Sequence, residues 1–312
     1  MSTQEIVALG RSLDASAVRR GRCADLALIS DYWALTKPEV NFLIVVTIFA
    51  GFYLGLAAQS PGFPFLLLIN TLLSTLLVAS GAGTLNQYIE RRFDAQMRRT
   101  SRRPLAAGRL TPSVVFTFGT ALSVLGCLYL AVAVNGLASL LAIITLVSYL
   151  FLYTPLKRKT PLCTVVGAVP GAMPPLIGWA AAAGQLTFES WILFALIFLW
   201  QFPHFMAIAW MYRDDYDRAG YLVLPQNHTR SRFATQQTLL PLLVLLPLSV
   251  VAVFAIHGSV ASSVGASLLS LGFFYYGVQF AFHKSGSAAR RLLAASIIYL
   301  PSLFVMMILL RS

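Results

Sequence analysis

Residues 65–94 read FLLLINTLLSTLLVASGAGTLNQYIERRFD, an apolar run that passes without a break into a charged end. The apolar part covers about 20 residues, the length at which a helix crosses a lipid bilayer. Runs of this kind recur along the whole chain and show no alternation of period two, which excludes a membrane β-barrel. Because only helices and closed barrels satisfy every backbone polar group in lipid, we predict an all-α polytopic membrane protein.

The composition of the 312 residues supports the same class. The hydrophobic fraction is 58%, the charged fraction is 11% and the mean hydropathy is +0.75. Soluble globular chains are about half apolar and about a quarter charged. The shortage of charge excludes a disordered protein, an ordinary cytosolic enzyme and, despite the net charge of +12, a nucleic-acid-binding domain. The expected surroundings are the lipid bilayer.

The chain is predicted to cross the membrane about nine times. Nine apolar segments are found at about 40–58, 65–86, 112–134, 137–155, 162–183, 190–211, 238–257, 260–282 and 292–310. Of the 23 Lys and Arg residues, 22 fall in the N-terminal tail and in the links after the even-numbered segments. Since basic loops stay in the cytoplasm, the N terminus and these links are predicted to be cytoplasmic. We expect a poorly ordered cytoplasmic tail over 1–35 and an intramembrane domain over 36–312.

Three polar residues share one helix face at the charged end of the second segment. Asn86, Glu90 and Asp94 are spaced i, i+4, i+8, which places them within an arc of about 80° spread over about 12 Å. Two carboxylates and an amide oxygen form the hard-oxygen ligand set that Mg²⁺ prefers, with substrate phosphates and water completing its shell. The alternative interpretation of the triplet alone is a solvated helix end with surface ion pairs.

Basic residues near this triplet favour a phosphate-binding function. Arginine binds phosphate oxygens through paired donors, so acids beside an arginine cluster suit a diphosphate. Positive-inside orientation would by itself also place basic residues in this loop. The candidate diphosphate-binding residues are Arg98, Arg102, Arg103, Lys157 and Arg158, with Arg99 and Arg109 close by.

The sixth segment supplies a second acidic site and a histidine. Asp214, Asp215 and Asp217 follow this segment on the predicted cytoplasmic side, where bundling of helices could bring them close to the first triplet. Metal ions on either side of one diphosphate would assist its departure. Asp217 is also compatible with a hydrated turn. His204 lies inside the apolar segment and is either a hydrogen-bonded core residue or a functional group, with haem-iron ligation as one possible use.

The order Asn86-x3-Glu90-x3-Asp94, together with the second acidic site near residue 215, resembles the intramembrane UbiA-type prenyltransferase superfamily. Longer stretches are similar to the protohaem IX farnesyltransferase, or haem O synthase, family within it. These stretches are Asn86–Arg109, the sequence Tyr-Thr-Pro-Leu-Lys-Arg at 153–158, Trp-Gln-Phe-Pro-His-Phe at 200–205, and 215–225. The resemblance covers roughly residues 30 to 310.

The resemblance implies a reaction and a division of roles. Asn86, Glu90 and Asp94 would form the first Mg²⁺–diphosphate site, and Asp214 and Asp215 the second. Glu90 stands where Asp is commoner in the family. The implied reaction joins the farnesyl group of farnesyl diphosphate to a vinyl group of haem B (protohaem IX), with water supplying a hydroxyl. The enzyme would lie in the cell inner membrane with a cytoplasmic active face, and its partners would include a haem A synthase or a terminal oxidase assembly.

Two alternatives remain open from the sequence. The first is a related UbiA-type prenyltransferase that acts on a phenolic or quinone precursor, for which an iron ligand at His204 has no use. The second is a transporter or haem carrier. Against the second, the acids gather at the membrane boundary, whereas the binding sites of secondary transporters lie near the midplane.

Overall fold

The computed structural model describes residues 26–56, 62–226, 228–256 and 258–309. Over these ranges the chain is built from helices, and nine of the helices found there are long and apolar enough to span a membrane. The prediction of an all-α polytopic membrane protein is therefore confirmed. The cytoplasmic location of the N terminus stays a prediction.

The helices are numbered in chain order. They are α1 (26–35), α2 (Pro38–Gly55), α3 (Phe65–Asp94), α4 (Pro112–Ala133), α5 (Gly136–Val147), α6 (Thr154–Leu156), α7 (Cys163–Ala183), α8 (Phe188–Met211), α9 (Arg213–Arg218), α10 (Arg230–Ala255), α11 (Val260–His283) and α12 (Gly286–Leu309). A π-helical turn, Ser148–Tyr153, joins α5 to α6, and the three pieces together form one span, Gly136–Leu156. Such turns inside helices are frequent at functional sites.

Several helices continue beyond the apolar segments from which they were predicted. The apolar segment of α3 ends near residue 86 but the helix runs to Asp94, as the shared face of Asn86, Glu90 and Asp94 requires, and α10 begins at Arg230 rather than near residue 238. Hydropathy reports only the part of a helix that lies in lipid, whereas the hydrogen-bonded helix itself continues into the polar region. The extension of α3 carries Glu90 and Asp94, so the candidate site is built on a rigid helix rather than on a loop.

Close contacts between helix backbones hold the helices that carry the site in their relative positions. Gly119, Ser123 and Gly126 line the face of α4 that meets α3, and a Cβ added to Gly126 would meet the backbone of Val78 at 2.7 Å. Small residues allow membrane helices to approach in this way, because association in lipid depends on packing rather than on the hydrophobic effect. A similar close approach joins α2 to α7, where an added Cβ at Gly178 would collide with the carbonyl oxygen of Ile48.

The Gly178→Ala variant is expected to unfold more easily than the wild type. Because the obstructing atoms belong to the backbone of α2, the two helices must move apart, at a cost of about 2 kcal/mol. The matched control is Gly272→Ala in α11, where nothing lies within 4 Å of the added Cβ. Thermal unfolding in detergent would show a lower midpoint for Gly178→Ala alone. Equal midpoints for the two variants would contradict the close packing of α2 on α7.

The short helix α1 is tied to the charged end of α3. Leu35 is fully buried, and its carbonyl oxygen accepts a hydrogen bond of 2.9 Å from the side chain of Gln87. Asp31 forms an ion pair of 2.9 Å with Arg109. Residues 1–25 of the predicted tail lie outside the described residues, so the boundary of the tail at residue 35 stays a prediction.

Candidate active site

Three helix ends meet around the polar triplet of α3. Asn86, Glu90 and Asp94 are 1%, 6% and 1% exposed, so the face on which the sequence places them is buried. Each of the three contacts a basic side chain from a different part of the chain: the start of α2, the end of α6, or the loop after α3. The alternative of a solvated helix end therefore does not describe this triplet.

Asn86 is held in one orientation by two neighbours. Its Nδ2 donates to Thr154 Oγ1 at 3.2 Å, and the Thr154 hydroxyl itself donates to the carbonyl oxygen of Tyr149 at 2.8 Å across the π-helical turn. Its Oδ1 accepts from Lys37 Nζ at 2.7 Å. The amide oxygen is therefore turned toward a basic group, as it would be turned toward the cation in a metal site.

Lys37 is a member of the site that sequence reasoning missed. It precedes Pro38 at the start of α2 and adopts a left-handed backbone conformation with φ of 54°. Burial, followed by the nearby Arg103, lowers the pKa of Lys37 to about 7. In the sequence this residue looks like any basic residue flanking a membrane segment, and no motif marks it as a buried group.

Glu90 forms a largely buried ion pair with Lys157, with Nζ and Oε1 at 2.8 Å. Burial alone would lower the pKa of Lys157, but the carboxylate of Glu90 raises it well above its ordinary value, so the ammonium stays charged. Tyr221 is also buried, and its burial together with the nearby charge of Glu90 raises the pKa of the Tyr221 phenol. Tyr221 was not among the candidates from the sequence, although it lies within the stretch 215–225.

Asp94 is paired on one oxygen only. Its Oδ2 contacts Arg103 Nη1 at 2.6 Å, whereas Oδ1 is buried and has no hydrogen-bond partner among the described residues. A buried carboxylate oxygen without a partner is costly unless a donor or cation reaches it. The arrangement therefore fits a hard cation at Oδ1.

The remaining basic candidates lie farther from the triplet. Arg98 and Arg102 are exposed, and Arg158 is exposed with its guanidinium 4.2 Å from the centre of the Phe93 ring. Among the five predicted diphosphate-binding residues, Arg103 and Lys157 are thus the two that directly contact the triplet. Diphosphate binding by all five stays a prediction.

The second acidic site lies beside the loop that follows α3. The side chain of Asp215 is 12% exposed and accepts hydrogen bonds from the backbone N–H of Arg99 at 3.3 Å and from Arg218 at 3.2 Å. The contact with Arg99 joins α9 to the loop that carries Arg103, as expected if bundling brings the two acidic helix ends to one face. Asp214 is 81% exposed and lies 3.6 Å from Arg213.

Asp217 has a different environment from Asp215. Both of its carboxylate oxygens accept from Arg230 at 2.9 Å, and Arg230 also donates to the carbonyl oxygen of Pro225. This carboxylate anchors the turn between α9 and α10, in agreement with the structural interpretation of Asp217. It therefore does not form part of the site around the triplet.

No group of three His, Cys, Asp or Glu side chains that could hold a metal ion by itself occurs in the part of the chain that the structure describes. A metal ion at Asn86, Glu90 and Asp94 would thus take its remaining ligands from phosphate and water, which is the usual coordination of Mg²⁺ in phosphate-binding sites. The donor set and the unpaired Oδ1 of Asp94 are compatible with such an ion.

His204 lies in the interior of α8, away from the acidic helix ends. Its Nδ1 lies 2.8 Å from the hydroxyl of Ser296 in α12, and its ring stacks on Trp200 with the ring centres 4.7 Å apart. The sequence identified the histidine but not Ser296, because a serine 92 positions later in an apolar segment gives no signal of its own.

Within the described residues, nine helices long enough to cross a membrane are bundled so that two acidic helix ends are joined at one face, which is the architecture expected of an intramembrane prenyltransferase. The chain belongs to the UbiA prenyltransferase family, whose model matches residues 44–303. It is 46% identical over 285 residues to the "Protoheme IX farnesyltransferase" of Solibacter usitatus (strain Ellin6076), an alignment that covers 89% of this chain and 98% of the relative.

Solved structures share the fold at low sequence identity. A structure of digeranylgeranylglyceryl phosphate synthase matches with a TM-score of 0.72 and 15% identity, covering 91% of this chain and 98% of that one. A UbiA homologue from Archaeoglobus fulgidus bound to DMAPP and Mg²⁺ matches with a TM-score of 0.57 and 17% identity, covering 89% and 99%. At these identities the likeness extends to the fold alone.

Proposed function

We propose that this protein transfers the farnesyl group of farnesyl diphosphate to a vinyl group of haem B, giving the hydroxyethylfarnesyl side chain of haem O. The observation that carries the proposal is the buried triplet Asn86, Glu90 and Asp94, which faces Lys37, Lys157 and Arg103. Oxygen ligands and fixed positive charges side by side suit a metal–diphosphate group. The choice of haem as acceptor is supported by the relative from Solibacter usitatus.

The proposed cofactor is Mg²⁺, for which Asn86, Glu90 and Asp94 would form the first site and Asp214 and Asp215 the second. The ion would supply neutralisation of the negative charge that grows on the departing diphosphate. The unpaired Oδ1 of Asp94 and the Mg²⁺ bound to the Archaeoglobus fulgidus homologue support this assignment.

The basic residues of the chain bind and orient the diphosphate. The ammonium groups of Lys37 and Lys157 and the guanidinium of Arg103 supply donors that are already fixed by Asn86, Glu90 and Asp94. Because these donors are preorganised in a water-poor environment, they stabilise the developing charge at little reorganisation cost. The proposed roles of Arg98, Arg102 and Arg158 are to attract the diphosphate from the surface.

The proposed reaction between farnesyl diphosphate, haem B and water needs no external oxidant. The C1–O bond of farnesyl diphosphate breaks, and the terminal carbon of the vinyl group bonds to farnesyl C1. The cation left on the inner vinyl carbon then takes oxygen from water and releases a proton. The apolar walls of the helix bundle would shield the allylic cation until the vinyl group reacts.

The proposed location of this chemistry is the cytoplasmic face of the cell inner membrane. The basic links that the positive-inside rule assigns to the cytoplasm include those that carry Arg103, Lys157 and Asp215, and these three belong to the same site. The proposed product is apolar and remains in the membrane, where a haem A synthase or a terminal oxidase assembly could receive it.

Membranes that contain this protein are expected to convert haem B to haem O when supplied with farnesyl diphosphate and Mg²⁺. Mass analysis of the extracted haems should show addition of one farnesyl group and one hydroxyl group, and omission of farnesyl diphosphate should abolish it. A parallel reaction offers a phenolic acceptor. Unmodified haem together with a prenylated phenol would overturn haem as the acceptor.

A further inference from the structure

A polar cluster lies inside the membrane-spanning helices, separate from the acidic helix ends. It consists of His204 and Trp200 on α8 and Ser296 on α12. Ser296 is fully buried, whereas the side chain of His204 is partly accessible. The role proposed for the charged groups around Asn86, Glu90 and Asp94 does not explain why this cluster is present.

The hydrogen bonds of Ser296 determine which nitrogen of His204 carries the proton. The Ser296 hydroxyl lies 2.6 Å from the carbonyl oxygen of Leu293, which can only accept, so the single hydroxyl hydrogen is used there. The same hydroxyl lies 2.8 Å from His204 Nδ1 and must therefore accept from it. The neutral imidazole is consequently protonated at Nδ1, and its lone pair is on Nε2.

The ring is also fixed in direction. Trp200 stacks on it with an angle of 27° between the ring planes, and the Trp200 indole N–H donates to the backbone carbonyl oxygen of Ser296 at 2.8 Å. His204 Nε2 has no hydrogen-bond partner among the described residues and is not a fully buried atom. A fixed neutral imidazole that presents a free Nε2 lone pair is the form in which histidine binds a metal.

We infer that Nε2 of His204 is an axial ligand to the iron of the haem substrate, and that Ser296 is a positioning residue that holds the required tautomer. This inference rests on the proposed function, since the iron is supplied by the acceptor. His204 lies seven residues before the end of α8 at Met211, about 10 Å along the helix axis. Iron ligation at that depth would fix the porphyrin relative to the diphosphate at the helix ends.

The test compares the binding of haem with the binding of metal-free protoporphyrin IX to the full-length protein in lipid nanodiscs. Loss of the iron ligand in His204→Ala is expected to weaken haem binding at least about tenfold and to remove the absorption spectrum of histidine-ligated iron, without changing the affinity for protoporphyrin IX. Ser296→Ala should weaken haem binding about tenfold, because Nδ1 loses its acceptor.

The matched control is Ser249→Ala. Ser249 is likewise a fully buried serine in a membrane helix, but it bonds to Tyr299 and Ser270 rather than to the histidine. The Ser249→Ala variant should bind haem with the same affinity as the wild type. A Ser296→Ala variant that binds haem as Ser249→Ala does would overturn the role of Ser296.

Equal losses of haem and protoporphyrin IX affinity in His204→Ala would overturn iron ligation, since the histidine would then act only as part of the pocket wall. Farnesyl transfer by the wild type is measured in the same preparation. If haem binding depends on His204 and haem is not farnesylated, the proposed function fails while the iron site stands. If haem is farnesylated but binds independently of His204, only this inference fails.

Discussion

Replacement of Asp94 by Asn is expected to lower farnesyl transfer at least about 100-fold. Asn has the shape of Asp but lacks its charge, so the variant removes the anion at the centre of the site while preserving its volume. Asp94 is buried, its Oδ1 has no partner in the described part of the chain, and its Oδ2 pairs with Arg103. Removal of one preorganised group that acts on developing charge costs about 100- to 1,000-fold in rate.

A second carboxylate on the same face provides the control. Asp217→Asn makes the identical chemical change, but Asp217 binds Arg230 and anchors the turn after α9. The Asp217→Asn variant should transfer farnesyl within a few-fold of the wild-type rate, and the rates are measured as haem O formed per amount of folded protein. An Asp94→Asn variant that keeps more than a tenth of the wild-type rate would contradict the placement of Asp94 in the site.

The sequence was sufficient to predict the nine spans found in the described part of the chain and the shared face of Asn86, Glu90 and Asp94. Both depend on local rules: hydropathy over about 20 residues and the 3.6-residue period of the helix. Hydropathy alone underestimated the end of α3, because its polar last turns fall outside a hydropathy window although they remain helical, whereas the i, i+4, i+8 spacing predicted a helix as far as Asp94. Local patterns thus revealed the acidic half of the candidate site.

The basic half of the site was predicted only as a set of five candidates without Lys37, because the choice among basic residues depends on tertiary contacts. The five basic candidates in two links look alike in sequence, and only the fold brings Arg103 to Asp94 and Lys157 to Glu90. Lys37 approaches from 49 residues away, at a position where a lysine is ordinary next to a membrane span. The partner of His204 is similarly distant, since Ser296 lies in another helix.

The acidic residues of the site were easier to predict than the basic ones for a physical reason. Carboxylates at a membrane boundary are few and therefore conspicuous, whereas orientation in the membrane already requires many basic residues on the cytoplasmic side. In the sequence, a basic residue that binds substrate therefore looks the same as one that only orients the protein in the membrane. Burial in the folded structure distinguishes the two kinds. By that criterion Arg103 is half-buried and Lys157 is largely buried, whereas Arg98 and Arg102 are exposed.

Substitution of Lys37 by Met is expected to raise the KM for farnesyl diphosphate about 10- to 100-fold. The side chain is similar in length, so packing at the start of α2 is retained while the ammonium near Asn86, Glu90 and Asp94 is lost. With a pKa of about 7, Lys37 carries its proton in only part of the free protein at neutral pH, and a buried hydrogen bond from its charged form contributes about 1.5–3 kcal/mol, which corresponds to this range of affinity. Initial rates at varied farnesyl diphosphate and saturating haem give the KM.

The control for Lys37→Met must share its unusual backbone. Among the non-glycine residues of the described chain, Lys37 and Lys284 have positive φ, 54° and 46° respectively. Lys284 caps the C-terminal end of α11 just after His283 and is not part of the candidate site, so Lys284→Met tests the same substitution in the same backbone conformation without removing a site charge. Its KM should match that of the wild type. Equal increases in KM for both variants would attribute the effect to the backbone, and an unchanged KM for Lys37→Met would remove Lys37 from the diphosphate site.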